Sequence, residues 1–189
     1  VEAKQREFGL QCRVYDDFDQ ILNDPSVDII SICTPNNQHA SEAIRAAQAG
    51  KHIFVEKPIA IKADDIPVML DAAASNRVRS LVAFILRFKP LVKLQKKLVS
   101  EGELGKVFMA NVDYWFGRER KGWMKHKEQT GGAFILAGCH SVDMARYILD
   151  SDIVEVTAAN AMVGDYYEYP PVETAQVKFA NGALGVFTC

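Results

Sequence analysis

The hydrophobic pattern of the chain switches between two periods. Val27-Asp28-Ile29-Ile30-Ser31-Ile32-Cys33 is a β-branched, nearly unbroken apolar run, the form expected of a strand buried on both faces. Thr34-Pro35-Asn36-Asn37 breaks it. From Gln38 the apolar positions Ala40, Ala43, Ile44 and Ala47 recur at helical spacing, and Gly50 supplies a left-handed stop. His52-Ile53-Phe54-Val55 predicts a second short strand, ended by Lys57-Pro58. The next helix places Ile66, Met69, Leu70 and Ala73 on one face. With Asp64 as its N-cap, Pro67 lies in the first turn, where a missing N–H removes no hydrogen bond. Ser80-Leu81-Val82-Ala83-Phe84-Ile85 predicts a third strand. Strands alternating with helices in this way predict a parallel sheet with right-handed crossovers.

Beyond residue 103 the pattern changes. Residues 106–116 alternate loosely, a polar basic loop follows, and a helix is predicted from about residue 132 to 149. Two further strands, 154–163 and 174–179, lead into Asn181-Gly182, a strong hairpin signal. The pattern predicts a mainly antiparallel sheet with one covering helix. The boundary falls in Glu101-Gly102-Glu103-Leu104-Gly105, dividing the chain into 1–103 and 104–189. The fold class is α/β: a truncated Rossmann-like parallel sheet followed by a partial α+β domain.

Composition narrows the function classes. Of 189 residues, 49 % are apolar and 24 % charged, which is ordinary for a globular chain. The 22 basic and 24 acidic side chains leave a net charge of −2, without the basic excess of a nucleic-acid-binding protein. No apolar run approaches the ~18 residues that would cross a bilayer. Cys12, Cys33, Cys139 and Cys189 show no CxxC spacing and read as reduced thiols serving as small hydrophobes, which points to the cytoplasm.

Four clusters offer chemistry. Cys33-Thr34-Pro35-Asn36-Asn37-Gln38-His39 lies where a parallel sheet meets its ligands, although the same residues also make a stiff, capped turn. Glu56-Lys57-Pro58 ends another strand. Lys57 there can relay a proton or serve as a Schiff-base nucleophile, or it can be an ordinary surface turn. His140 and Asp143 share a helix face, so the carboxylate can orient the imidazole as a general acid or base; a helix-surface pair is the plainer alternative. Arg118-Glu119-Arg120-Lys121 with Lys125-His126-Lys127 can neutralise an anion or stand as a solvated loop. No further ligands sit at metal-binding spacing, and no metal is expected.

Taken together, Thr34-Pro35-Asn36-x-x-His39, Ala49-Gly50-Lys51-His52, Glu56-Lys57-Pro58, Arg87-Phe88-x-Pro90, Gly131-Gly132 and His140-x-x-Asp143, in this order, resemble the Gfo/Idh/MocA oxidoreductase family. The resemblance runs from about Phe8-Gly9 to Cys189. It implies a Rossmann domain holding NAD or NADP, a second domain holding a sugar, inositol or related polyol, and association into a homo-oligomer, with neither nucleic acid nor membrane as partner. It further implies that Lys57 is the catalytic lysine and His140 its acid–base partner, both touching substrate. Thr34, Pro35, Asn36 and His39 would line the nicotinamide side, Glu56 and Pro58 would fix Lys57, and Arg87 would stand on the cofactor side. Trp123 and Asp143 would stand on the substrate side.

Two departures from the family pattern stand out. Many members carry an aspartate four residues before the helix histidine, where this chain has Leu136. No GxGxxG phosphate-binding turn occurs in the sequence. The expectation is an internal piece of a longer oxidoreductase, the piece itself inactive. The alternative is a relative that binds its ligand without turnover.

Overall fold

The computed structural model describes residues 2–115 and 121–189. Two short helices, α1 (Glu2–Phe8) and α2 (Phe18–Leu22), precede the first sheet. Asp24 then anchors the approach to it. Its buried carboxylate accepts from Ser26 Oγ at 2.6 Å, from the Tyr15 hydroxyl and from Arg13 Nη1 at 2.7 Å. The Ser26 and Tyr15 hydrogen bonds, helped by the Arg13 charge, hold this carboxyl well below the usual range.

The chain continues through β1 (Ile29–Ile32), α3 (His39–Gln48), β2 (His52–Val55), α4 (Asp65–Ser75) and β3 (Ser80–Val82). The strands are parallel in the order β1-β2-β3, with Ile30 opposite Ile53 and Val55 opposite Val82. Strand order advances in one direction, so right-handed crossovers carry both helices to the same face. Ile30, Ile32, Ile53 and Val55 accordingly bury against Ala40, Ala43 and Ala47 of α3 and Met69 of α4. The alanines let the helix approach the sheet closely.

Among the described residues nothing covers the other face, where strands buried on both faces were expected: Ile29 is 59 % and Leu81 52 % exposed. Leu70, expected on the buried face of α4, is also exposed, because the helix turns Met69 and Ala73 toward the sheet. Asp64 stands at the N-cap of α4 without a capping hydrogen bond from its side chain. The third strand ends earlier than predicted. Phe84 adopts φ −76° and ψ 69°, an inverse γ-turn that diverts the chain into a 3₁₀ turn over Ile85–Phe88.

Helix α5 (Pro90–Ser100), begun by Pro90 at its first position, packs on the second half of the molecule, where Lys96 Nζ donates to the Tyr147 carbonyl at 2.7 Å. The second sheet has the order β4-β7-β6-β5, from β4 (Met109–Asp113), β5 (Ile153–Ala161), β6 (Val172–Phe179) and β7 (Leu184–Thr188). Its β5–β6 and β6–β7 pairings are antiparallel, but β4 lies parallel to β7, making the sheet mixed. Asn181 closes the β6–β7 hairpin by accepting from the Ala183 N–H at 3.0 Å, with Gly182 at φ 88°.

A one-turn helix α6 (Lys127–Thr130) and then α7 (Cys139–Leu149) lie between β4 and β5. Ala145 and Leu149 of α7 cover one face of the sheet, against Val177, Phe179 and Phe187. The continuous helix predicted from residue 132 is interrupted: Phe134–Gly138 forms a π turn ahead of α7. Gly138 permits this, since a Cβ there would stand 2.9 Å from the Phe134 ring.

None of the four cysteines forms a disulfide. Cys189 is buried and Cys139 half-buried, but Cys12 and Cys33 are exposed and so do not serve as core hydrophobes. No helix among the described residues is long and apolar enough to cross a membrane.

Candidate active site

Because β1 and β2 are parallel neighbours, the loops leaving their carboxyl ends lie side by side. The first carries Thr34, Pro35 and Asn36; the second carries Glu56, Lys57 and Pro58, with a cis Lys57–Pro58 bond. His39, 1 % exposed, joins them: Nδ1 lies 2.7 Å from the Pro58 carbonyl and Nε2 2.9 Å from the Thr34 carbonyl. Thr34 Oγ1 donates to Glu42 at 2.7 Å, and the Lys57 N–H donates to Glu56 at 3.1 Å. These contacts hold the two loops as one wall.

The facing wall comes from residues 122–137. Gly122–Lys125 is a 3₁₀ turn, α6 follows, and Gly131 at φ 82° redirects the chain into the π turn. The two walls meet through hydrogen bonds. Asn36, 3 % exposed, donates to the Thr130 carbonyl at 3.0 Å, and Lys57 Nζ donates to the Leu136 carbonyl at 2.8 Å. A cavity of about 290 Å³ lies between them. Cys33, Thr34, Asn36, His39, Glu56 and Lys57 line one side; Tyr114, Trp123, Met124, Leu136 and Ala137 line the other.

His140 stands behind this lining. It is 5 % exposed, its ring centroid lies 5.4 Å from that of Tyr114 and 6.2 Å from that of Phe84, and its buried Nδ1 has no hydrogen-bond partner. Burial first, and then the Lys57 ammonium, push its pKa down; Asp143 and Glu56 oppose them. The ring is therefore favoured in its neutral form.

The expected His140–Asp143 hydrogen bond is not formed. Arg87 takes the carboxylate, with Nε 2.8 Å from Oδ2 and Nη2 2.5 Å from Oδ1. A planar guanidinium fork satisfies both carboxylate oxygens at once, which a single imidazole nitrogen cannot do. The Arg87 guanidinium also lies over the Tyr147 ring, 5.2 Å from its centroid. Arg87 and Asp143 thus meet each other, and neither lines this cavity. Pro35 and Pro58 shape the loops without lining the cavity.

Arg118-Glu119-Arg120 lies outside the described residues; Lys121 is exposed, and His126 is engaged with Glu168. Sequence reasoning missed Tyr114, Met124 and the Leu136 carbonyl as parts of the site. Tyr114 reads as one more apolar position of a strand, Met124 has no periodic signal, and a backbone acceptor leaves no trace in residue identity.

A lysine at the carboxyl edge of a parallel sheet faces a wall supplied by a second α/β unit, and a parallel sheet meets its ligands at that edge. Comparison with known proteins places the chain further. Residues 1–84 match the profile of an oxidoreductase family with an NAD-binding Rossmann fold, and residues 92–189 match the GFO/IDH/MocA C-terminal domain. The chain belongs to the Gfo/Idh/MocA oxidoreductase family. It is 31 % identical to a levoglucosan dehydrogenase of Pseudarthrobacter phenanthrenivorans, over 95 % of this chain and 53 % of that protein. It is 30 % identical to a Bacillus subtilis scyllo-inositol 2-dehydrogenase (NAD(+)), over 98 % of this chain and 54 % of that one. A solved levoglucosan dehydrogenase, in complex with NADH and levoglucosan, superposes with a TM-score of 0.87 at 31 % identity, covering 99 % of this chain and 54 % of that structure. The chain spans about half the length of the curated relatives it matches.

The residues present are compatible with the family's NAD-binding description. The cavity lies at the strand ends where a Rossmann sheet receives its ligand, and Lys57 has three N–H donors, of which the Leu136 carbonyl takes one.

Proposed function

We propose that the protein is an NAD(P)-dependent oxidoreductase acting on a secondary alcohol of a sugar, inositol or related polyol. The observation that carries this reading is Lys57: its Nζ is anchored to the Leu136 carbonyl at 2.8 Å while its side chain lines the cavity between the two walls. Its other N–H donors are free to hold the reacting oxygen. The bound nicotinamide supplies the hydride acceptor or donor. Lys57 orients the substrate hydroxyl and stabilises the charge that develops on its oxygen. His140, favoured in its neutral form and with an unpartnered Nδ1, is the acid–base partner of Lys57 in this reading, although it stands behind the lining and not on the cavity surface. Thr34, Pro35, Asn36 and His39 serve the nicotinamide side, Glu56 and Pro58 hold Lys57, and Trp123 faces the substrate. Arg87 and Asp143 tie α7 to the chain leaving the parallel sheet.

Lys57 meets residue 136 through its backbone carbonyl, and the Leu136 side chain that lines the cavity offers no carboxyl there, where the family resemblance implies an aspartate. That departure favours a second reading, a relative that binds its ligands without turnover. The deciding experiment follows nicotinamide absorbance with the full-length protein, NAD or NADP, and a panel of sugars and inositols. Reduction of the cofactor with any member supports the oxidoreductase. Cofactor binding by titration with no turnover across the panel favours the second reading. A reducing cytoplasmic setting and association of copies through the open side of the second sheet, where Met109 and Leu184 are exposed, complete the proposal.

A further inference from the structure

The wall that carries Trp123 and Met124 has little regular structure of its own, only a 3₁₀ turn and a single turn of helix. It is held from outside. Tyr169, in the connection between β5 and β6, is 1 % exposed and donates its hydroxyl to the Met124 carbonyl at 2.5 Å. The neighbouring Glu168 N–H donates to the Lys125 carbonyl at 3.1 Å. The Glu168 carboxylate engages His126 Nδ1 at 2.9 Å and accepts from the Lys127 N–H at 3.3 Å. The Tyr167 ring stacks on Tyr169 with centroids 5.7 Å apart. Contacts therefore fall on four successive residues, Met124 to Lys127, beginning at one that lines the cavity.

We propose that Tyr169 is a positioning residue and that the β5–β6 connection sets substrate selectivity, by fixing Trp123 and Met124 against the cavity. The inference rests on the oxidoreductase reading and adds a residue that touches neither substrate nor cofactor. A backbone carbonyl held by a buried hydroxyl stays put at little entropic cost, because a tyrosine has few rotamers to lose. Any polyol must then fit the gap between Lys57 and a fixed aromatic edge.

The test uses the full-length protein with tryptophans replaced by 5-fluorotryptophan, the Trp123 ¹⁹F resonance being assigned by Trp123→Phe. Tyr169→Phe removes one hydrogen bond and is expected to shift or broaden that resonance. It should lower kcat/KM for the best polyol by about tenfold, the scale of one such bond, chiefly through KM. Discrimination between a small and a bulky polyol should narrow, with cofactor affinity little changed. Glu168→Ala, at an exposed side chain, should move the same quantities in the same direction by less. A Trp123 resonance unmoved in both variants, or a loss confined to kcat, overturns the proposal. Absence of turnover in the unaltered protein instead defeats the oxidoreductase reading, and the resonance still decides the clamp.

Discussion

On one side of the cleft, Thr34 and Lys57 leave the ends of two strands that are paired residue for residue, and His39 joins their loops from beneath. On the other side, Trp123 and Met124 ride on turns whose fixed points lie in a distant connection, at Glu168 and Tyr169. The first wall is made rigid by contacts near in sequence and by a sheet. The second owes its shape to contacts about forty residues away, roughly one net hydrogen bond (about 1 kcal/mol) at a time. On the proposed function the difference divides the tasks: a wall with local support suits a constant cofactor, and a wall with remote support can change with the substrate while the other stays as it is.

The comparison can be broken first at Lys57. If the protein is the proposed oxidoreductase, Lys57→Ala in the full-length protein lowers turnover by about a hundredfold or more, the scale for losing a positioned proton-transfer group. Cofactor affinity, measured by titration, should change much less. Normal turnover would remove Lys57 from the chemistry and leave the two walls without a division of labour.

The junction behind the walls gives the next largest effect. Arg87→Ala leaves the carboxylate of Asp143, whose side chain is 7 % exposed, without its partner. Stability by denaturant titration should fall by roughly 2–4 kcal/mol, a little under the ~3–5 kcal/mol of a fully buried pair because the Arg87 side chain is 41 % exposed. Arg87→Ala combined with Asp143→Leu should recover most of that loss, since the buried charge is then gone.

His39→Leu sharpens the contrast. Volume is nearly conserved, but the carbonyls of Thr34 and Pro58 lose the imidazole that bridges them, for a loss of about 1–3 kcal/mol. Hydrogen exchange should quicken in both loops of the first wall and stay unchanged around Trp123. Quickened exchange at both walls would mean that they are one cooperative unit.

The smallest effect is a pH dependence. The pKa of His140 lies below its ordinary 6.5 in the folded state, so the unfolded chain binds more protons over the interval between the two values. Stability should fall as pH drops from about 6.5 through the folded pKa, and His140→Phe should flatten that part of the profile. Asp24, whose pKa is lowered from 3.8, contributes a separate loss at more acid pH, below its ordinary value. The two windows distinguish the cleft from the anchor of the first sheet.

Much of the first wall is legible in residue identity and spacing. The β-branched runs, the Pro-Asn break and the Glu-Lys-Pro ending are local signals, and two parallel neighbours must present their ends together. The strand at residue 80 is legible only in part, because the γ-turn at Phe84 comes from packing against the second unit, where Phe84 faces His140. The partner of Asp143 escapes the sequence for a related reason. Spacing of three on a helix brings His140 and Asp143 to one side, but Arg87, distant in the chain, offers a better fit to the carboxylate.

Sequence by itself determined the order of strands and helices, the parallel first sheet, the hairpin at Asn181-Gly182, and the meeting of Thr34 with Lys57. Each follows from hydrophobic period or turn chemistry within a few tens of residues, where backbone geometry leaves few alternatives. Tertiary structure alone decided which face of the first sheet is covered, that Lys57 finds a backbone carbonyl at Leu136, and that Tyr169 holds Met124. These last depend on polar groups with no periodicity. A buried donor must find an acceptor wherever the fold brings one within about 3 Å, and that acceptor is as often a main-chain oxygen, which every residue possesses, as a side chain that the sequence would name.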